Sequence, residues 1–413
     1  MSLNTLVDYI SNSQITSELI KRISKNNELN IVGSSRYAKS IILDSIAKKE
    51  EKNILLICSN VEIAYKWIGY FESINNREVL YYPPTEHLPY ASINKSKEIE
   101  FTQLTVLSKL IKKEKKELNI VISTVRSLQP HLVNKNLLIE NKLDLQKGVK
   151  IEIQELANKL TILGYTKENI TSTEGLWSRR GEIIDIYPVN NEFPIRIEFF
   201  DNVIEKIREY DPNTQKTLES IENIEIIQAG FDLLIKEKLN NLSKNSIFNS
   251  EDVNKNNLDR YLGIIEKEPS NIIDFINSET ILVIDEIEDC KKFSNNWYLD
   301  SENNFDACAC ELNQCLKNND IKLKTKPNLH LKFNEILNIL GNFNLIKLYE
   351  FESKDNIDNR FLLNDKRLNS YSKNIGKLSN DINKNIKNKE KVWILSAQPL
   401  RTRTLLFEHE CNT

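Results

Sequence analysis

The residues Gly33-Ser34-Ser35-Arg36-Tyr37-Ala38-Lys39-Ser40 follow a short apolar run and precede a helix-like segment, the setting of a phosphate-binding loop. The chemistry would be nucleotide binding. Backbone N–H groups and a lysine surround the phosphates, and a Ser/Thr hydroxyl reaches magnesium. The spacing here is G-x4-A-K-S. Ala38 stands where a second glycine normally lets the backbone close, and an unfavourable conformation there is expected to cost about 1 kcal/mol or more. Arg36 and Tyr37 crowd a loop usually built from small residues. This departure favours a strand-to-helix turn in a domain descended from a nucleotide binder that no longer binds one.

Thr280-Ile281-Leu282-Val283-Ile284-Asp285-Glu286 has the pattern of an apolar strand ending in acids. Asp285 would face magnesium and Glu286 a catalytic water, as in a Walker-B strand. A buried strand leaving the core has the same pattern, and Glu288 and Asp289 continue the acids into a solvated loop. Taken with the loop at Gly33, Lys39 and Ser40, the strand points to ancestry more than to activity. No catalytic residue is assigned.

Arg179, Arg180, Arg196, Phe199 and Phe200 lie in or beside a predicted hairpin, Gly181–Tyr187 and Ile195–Phe200, joined through Pro188–Pro194. Strand residues two apart share a face. Arg196, Glu198 and Phe200 therefore point one way, and Ile195, Ile197 and Phe199 point into a core. A cation beside an exposed aromatic ring is enriched at protein interfaces. The competing arrangement pairs Arg196 with Glu198 or Asp185 and packs Phe200 beneath a neighbouring loop. Tyr81-Tyr82-Pro83-Pro84-Thr85-Glu86-His87-Leu88-Pro89-Tyr90 offers rings for base stacking, but reads better as a rigid surface loop. Cys58, Cys290, Cys308, Cys310, Cys315 and Cys411 lack paired metal-ligand spacing, so reduced thiols and no metal are expected.

These residues need elements to hold them. Ile31–Gly33, Ile54–Cys58, Val79–Tyr82 and Asn119–Ser123 read as buried strands separated by helices, which predicts a parallel sheet with helices on its faces. From Asp144 the pattern becomes a helix, Gln154–Leu163, followed by the hairpin. Val203–Tyr210 continues the meander to a turn at Asp211-Pro212-Asn213, and Ile224–Gln228 adds a further strand. The strand ending at Asp285 is expected to rejoin the first sheet. A helix at Phe333–Leu340, a polar stretch over Lys354–Lys391 and a strand at Val392–Ser396 suggest one more α/β domain. The expected divisions are 1–142 for the first part of the α/β domain, 143–228 for an inserted α+β domain, 229–325 for its remainder and 326–413 for a small, incomplete α/β domain.

The chain has 413 residues, 40% hydrophobic and 28% charged, values of a folded globular protein with several cores. A net charge of -3 gives no global reason to coat nucleic acid. No run of about 18 apolar residues occurs, and the N-terminus lacks a signal-peptide layout, so a cytoplasmic location without membrane contact is expected.

In this order the segments Tyr81–Tyr90, Ser178–Pro188, Ile195–Asn202 and Tyr210–Thr217 resemble the N-terminal, UvrB-like region of the bacterial transcription-repair coupling factors. The match is specific over about 30–228. UvrB shares the R-G-x-x-x-D-x-x-P and R-x-x-F-F/W patterns, but carries an intact phosphate loop and a longer, tyrosine-rich DNA-clamping hairpin. The resemblance implies a degenerate P-loop, RecA- or UvrB-like parallel-sheet domain bearing an inserted α+β domain. That insert would bind the damage-recognition protein UvrA through Arg180, Arg196 and Phe200. Family members continue into an RNA-polymerase-binding domain and an ATP-dependent DNA translocase, through which they meet RNA polymerase and damaged DNA. This chain is expected to stop before both, to act as a recruitment module without a motor, and to need no cofactor. The alternative is a UvrB-like or helicase-like repair enzyme in which Lys39, Ser40 and Asp285 still hold ATP and magnesium.

Overall fold

The computed structural model describes residues 3–74, 78–91, 93, 96–111, 119–244, 258–266, 268–314, 329–351, 359–363, 371, 374–394, 396 and 398–411. The first part runs α1 (Leu3–Ser11), α2 (Gln14–Asn26), β1 (Glu28–Val32), α3 (Arg36–Glu50), β2 (Ile54–Cys58), α4 (Val61–Ile74), β3 (Val79–Tyr82), α5 (Lys97–Ile111) and β4 (Ile120–Thr124). β2 and β4 are buried at every position, which requires cover on both faces and so favours parallel pairing through helical crossovers. Alternation sorts the side chains. Leu55 and Ile57 join one core with Leu104 and Leu107 of α5, while Ile54, Leu56 and Cys58 join another with Leu43 and Ile46 of α3 and Trp67 and Phe71 of α4.

The second part contains α6 (Lys135–Glu140), β5 (Leu143–Gln146), α7 (Ile153–Ile162), β6 (Thr166–Lys167), β7 (Leu176–Arg180), β8 (Ile183–Ile186), β9 (Ile195–Phe200), β10 (Val203–Tyr210), β11 (Thr217–Ile221) and β12 (Asn223–Ile226). A separate six-stranded sheet has the order β11-β10-β9-β8-β7-β6. The expected hairpin is its centre, extended by β6, β7 and β11. β12 does not prolong this meander, because it pairs antiparallel with β5 at the base of the insert. Ile184, Ile186, Ile195, Ile197 and Phe199 share one hydrophobic core with Ile153, Leu156 and Leu160 of α7.

The chain then forms α8 (Asp232–Lys244), α9 (Leu262–Ile265), β13 (Ile281–Asp285), α10 (Ile287–Gln314), α11 (Phe333–Leu340), β14 (Asn344–Tyr349) and β15 (Arg360–Leu362). The seven-stranded sheet has the order β15-β1-β14-β13-β2-β4-β3, with parallel pairing throughout. β13 enters it as expected, but so do β14 and β15, which the expected boundary at 326 had assigned to a separate domain. The chain divides instead between Leu363 and Asn364. The reason is register: Glu28–Val32 align with Leu345–Tyr349 across the sheet, a pairing that no local pattern announces.

The last unit holds α12 (Ile375–Lys387) and α13 (Pro399–Glu408), with Ile382, Leu406 and Cys411 buried between them. The strand expected at Val392–Ser396 is not formed over 392–394, and Leu395 lies outside the described residues. Among the described residues of this unit there is no strand for it to pair with. No helix among the described residues is long and apolar enough to cross a membrane.

Candidate functional site

The segment weighed as a nucleotide loop is a three-residue strand-to-helix turn, the reading the sequence favoured. Gly33 and Ser34 take left-handed conformations, φ +88° and +64°. Ser35 then caps α3, its hydroxyl accepting from Ala38 N at 3.3 Å. Ser at an N-cap competes effectively with a longer loop because it satisfies a helix-terminal N–H. Ala38 consequently sits inside α3, where alanine is the most favourable residue. The expected backbone strain at Ala38 is absent, because that position is helix and not loop.

The polar side chains of this site are bonded to the protein itself, except at one buried carboxylate oxygen. Arg36 Nε donates to Asp285 Oδ2 at 2.8 Å, and Trp67 Nε1 donates to the same oxygen at 3.0 Å. Lys39 is 1% exposed, and its Nζ donates to the Tyr349 carbonyl at 2.9 Å. Burial pushes its pKa down, opposed by Glu286 and Asp285. Ser40 Oγ donates back to the Tyr37 carbonyl at 2.6 Å. Glu286 accepts from Glu350 N at 2.5 Å, and burial raises its pKa. Above the turn the main chain leaving β15 closes in: a Cβ on Gly33 would stand 2.8 Å from the Leu363 carbonyl oxygen. Gly33, Lys39, Ser40, Asp285 and Glu286 are thus gathered at one end of the parallel sheet. Of the residues that fill their surroundings, Arg36 is legible as a crowding residue, whereas Trp67, Tyr349 and Leu363 escape sequence reasoning, the last two because they act through main-chain carbonyls. Among the described residues Asp285 Oδ1 is buried without a hydrogen-bond partner.

The second candidate face lies on the six-stranded sheet. Directly opposed residues share a face, so the register Arg180↔Ile183↔Glu198 and Ser178↔Asp185↔Arg196 brings Arg180 onto the side of Arg196 and Phe200. Two tight turns set its tip. Gly181, φ +61°, links β7 to β8, and Asp201 and Asn202, φ +52° and +62°, link β9 to β10, as two-residue hairpin loops require. Phe199 N donates to the Glu182 carbonyl at 2.9 Å, holding both tips at the same end. Phe200 is 73% exposed and does not pack under a loop. Among the described residues Arg180 Nη2 reaches the Asn169 carbonyl alone, at 3.3 Å. Arg196, by contrast, pairs with Asp185 through Nε at 2.7 Å and Nη2 at 2.8 Å. Glu198 pairs with Arg208 instead. The two arrangements anticipated for this face are therefore mixed: the cation is paired, and the ring is free.

The tyrosines of the Pro-rich segment are structural. Tyr82 and Tyr90 are buried, with hydroxyls 2.7 Å from His131 Nε2 and His330 Nδ1 respectively. Cys58, Cys290, Cys308 and Cys411 are free thiols, whereas Cys315 and the side chain of Cys310 lie outside the described residues. Among the described residues no cluster of three or more His, Cys, Asp or Glu is placed to hold a metal ion.

The family described as the UvrB interaction domain matches residues 143–230, which contain the whole six-stranded sheet. The Rossmann-like domain of cyanobacterial Mfd matches residues 367–413. The transcription-repair-coupling factor of Bacillus subtilis (strain 168) is 28% identical over 287 residues, covering 62% of this chain and 24% of that protein. That of Staphylococcus haemolyticus (strain JCSC1435) is 26% identical over 313 residues, 69% of this chain and 26% of that protein. That of Staphylococcus aureus (strain bovine RF122 / ET3-1) is 25% identical over 300 residues, 66% and 25% respectively. The chain spans about a quarter of the length of these curated relatives.

Proposed function

We propose that this chain, similar to the N-terminal region of the transcription-repair-coupling factors, is a recruitment module of transcription-coupled nucleotide-excision repair that binds UvrA through Arg180, Arg196 and Phe200. The observation that carries the reading is the exposed Phe200 ring on the same sheet face as Arg180 and Arg196, in the segment that matches the UvrB interaction domain. A large ring left in water on a sheet face costs solubility, and earns retention where a partner desolvates it. Contacts with RNA polymerase and damaged DNA belong, on this reading, to parts of the coupling factors beyond the matched quarter. The test is binding of the full chain to UvrA on a biosensor surface. Phe200→Ser and Arg180→Glu should each weaken binding at least about tenfold, the scale of an interface anchor, without lowering the melting temperature. Unchanged affinity in both variants refutes the assignment.

The same reading gives the chain no nucleotide chemistry. The loop is too short to encircle phosphates, Arg36 fills the position beside Asp285 that magnesium would need, and Lys39 is committed to a carbonyl. These residues do not fit Mg-ATP. One observation favours the alternative, the buried and unpartnered Asp285 Oδ1, since such an atom is a ready cation ligand.

A further inference from the structure

We infer that Asp185, Tyr210 and Gln215 are positioning residues for Arg196, making it a preset and charge-neutralised hydrogen-bond donor, while Arg180 supplies the free charge of the face. This rests on the UvrA-binding reading above. The outer side of the sheet is unusual around Arg196: it is polar, yet Thr171, Ser178, Asp185 and Tyr210 are all buried there. The guanidinium is held in three directions. Asp185 takes Nε and Nη2 as a parallel fork, Gln215 Oε1 accepts from Nη2 at 2.9 Å, and the Tyr210 ring lies beneath it with 4.6 Å between Cζ and the ring centroid.

Each holder is itself fixed. Asp185 faces Arg196 by strand register, and its carbonyl accepts from Thr171 Oγ1 at 3.3 Å, a hydroxyl also bonded to Ser178 Oγ at 3.1 Å. Gln215 is delivered by the Asp211-Pro212-Asn213-Thr214 turn. Asp211 Oδ1 accepts from Asn213 N at 2.8 Å and Thr214 N at 3.0 Å. Gln215, at φ +60°, donates its own N–H to the Asp211 carbonyl at 2.8 Å and its Nε2 to the Pro212 carbonyl at 2.9 Å. The turn sequence thus has a task besides reversing the chain. A guanidinium plane immobilised before encounter loses little rotamer freedom on binding. Its paired charge contributes direction and little steering, whereas Arg180, bound to one carbonyl, retains its long-range field.

The experiment measures UvrA affinity of full-chain variants at low and high ionic strength. Asp185→Asn should weaken binding about tenfold, and combining it with Arg196→Ala should be no worse than Arg196→Ala alone, since one variant then acts only through the other residue. Arg196→Lys should bind as poorly as Arg196→Ala because an ammonium cannot reproduce the fork, while Arg180→Lys keeps most of the affinity. Arg180→Ala should flatten the salt dependence and Arg196→Ala should not. Gln215→Ala, on an exposed turn, should cost about threefold and serves if Asp185→Asn fails to fold. Full binding by both Asp185→Asn and Gln215→Ala, with Arg196→Ala impaired, overturns the positioning role alone. Full binding by Arg196→Ala overturns this inference, and if Arg180→Glu and Phe200→Ser also bind fully, the UvrA reading falls with it.

Discussion

Replacing Arg36 by alanine tests whether the former nucleotide site is now an internal latch. The pair Arg36–Asp285 spans 2.8 Å, with side-chain exposures of 22% and 1%. At an effective dielectric of about 20, unit charges at that separation attract by about 6 kcal/mol, most of which offsets the desolvation of both groups. Removing one partner exposes the imbalance, and buried pairs broken in this way lose about 3–5 kcal/mol. The lower end applies here. Arg36 is partly hydrated, Trp67 still donates to Asp285, and Lys39 lies near enough to interact with that carboxylate. The expected loss for Arg36→Ala is therefore about 3 kcal/mol, a fall in melting temperature on the order of 5 °C for a body of this size. Arg36→Met combined with Asp285→Asn removes both charges of the pair and should lose only about 1 kcal/mol. Urea unfolding followed by tryptophan fluorescence suits the measurement, because Trp67 touches the pair. A loss below about 1 kcal/mol for Arg36→Ala, or additive losses in the double variant, would refute the latch.

Mg-ATP should leave the melting temperature unchanged up to millimolar concentration, since only a ligand specific for the folded state raises it; a saturable rise abolished by Lys39→Ala would restore the enzyme reading. Lys39 also predicts a pH dependence. Burial holds its folded pKa below 10.5, so the charged form opposes folding below the folded pKa and the penalty fades as pH rises toward the unfolded value. Lys39→Met should therefore gain most relative to the parent near neutrality and progressively less toward pH 10.5. Paired urea titrations at the two ends check this, and an advantage that grows with pH contradicts the sign.

Much of the architecture is legible locally. Apolar runs such as Ile54–Cys58 and Ile281–Asp285 announced buried parallel strands, because both faces of such a sheet must be covered. Strict alternation over Ile195–Phe200 placed Arg196 and Phe200 on one face before any coordinates, since side-chain direction has period two. Three of the four segments carrying the resemblance, Ser178–Pro188, Ile195–Asn202 and Tyr210–Thr217, lie within the insert that matches the UvrB interaction domain, and Tyr81–Tyr90 precedes it. At Gly33–Ser40 the favoured strand-to-helix turn is the one that forms, and only the strain expected at Ala38 fails, because the Ser35 cap places Ala38 inside the helix. The strand expected at Val392–Ser396 does not form over 392–394. Over 344–362, two strands were left out of the first sheet because register with Glu28–Val32 is not a local property.

The sequence by itself determined which residues alternate, which apolar runs are buried, and that Arg196 and Phe200 look outward together. Only the tertiary structure decided that Arg180 joins them, that Asp185, Tyr210 and Gln215 converge on one guanidinium, and that the Tyr349 and Leu363 carbonyls close over Lys39 and Gly33. Periodicity is written in neighbouring residues and survives without a fold. Convergence depends on distances between groups tens to hundreds of residues apart, which exist only once two sheets have taken their register and packed.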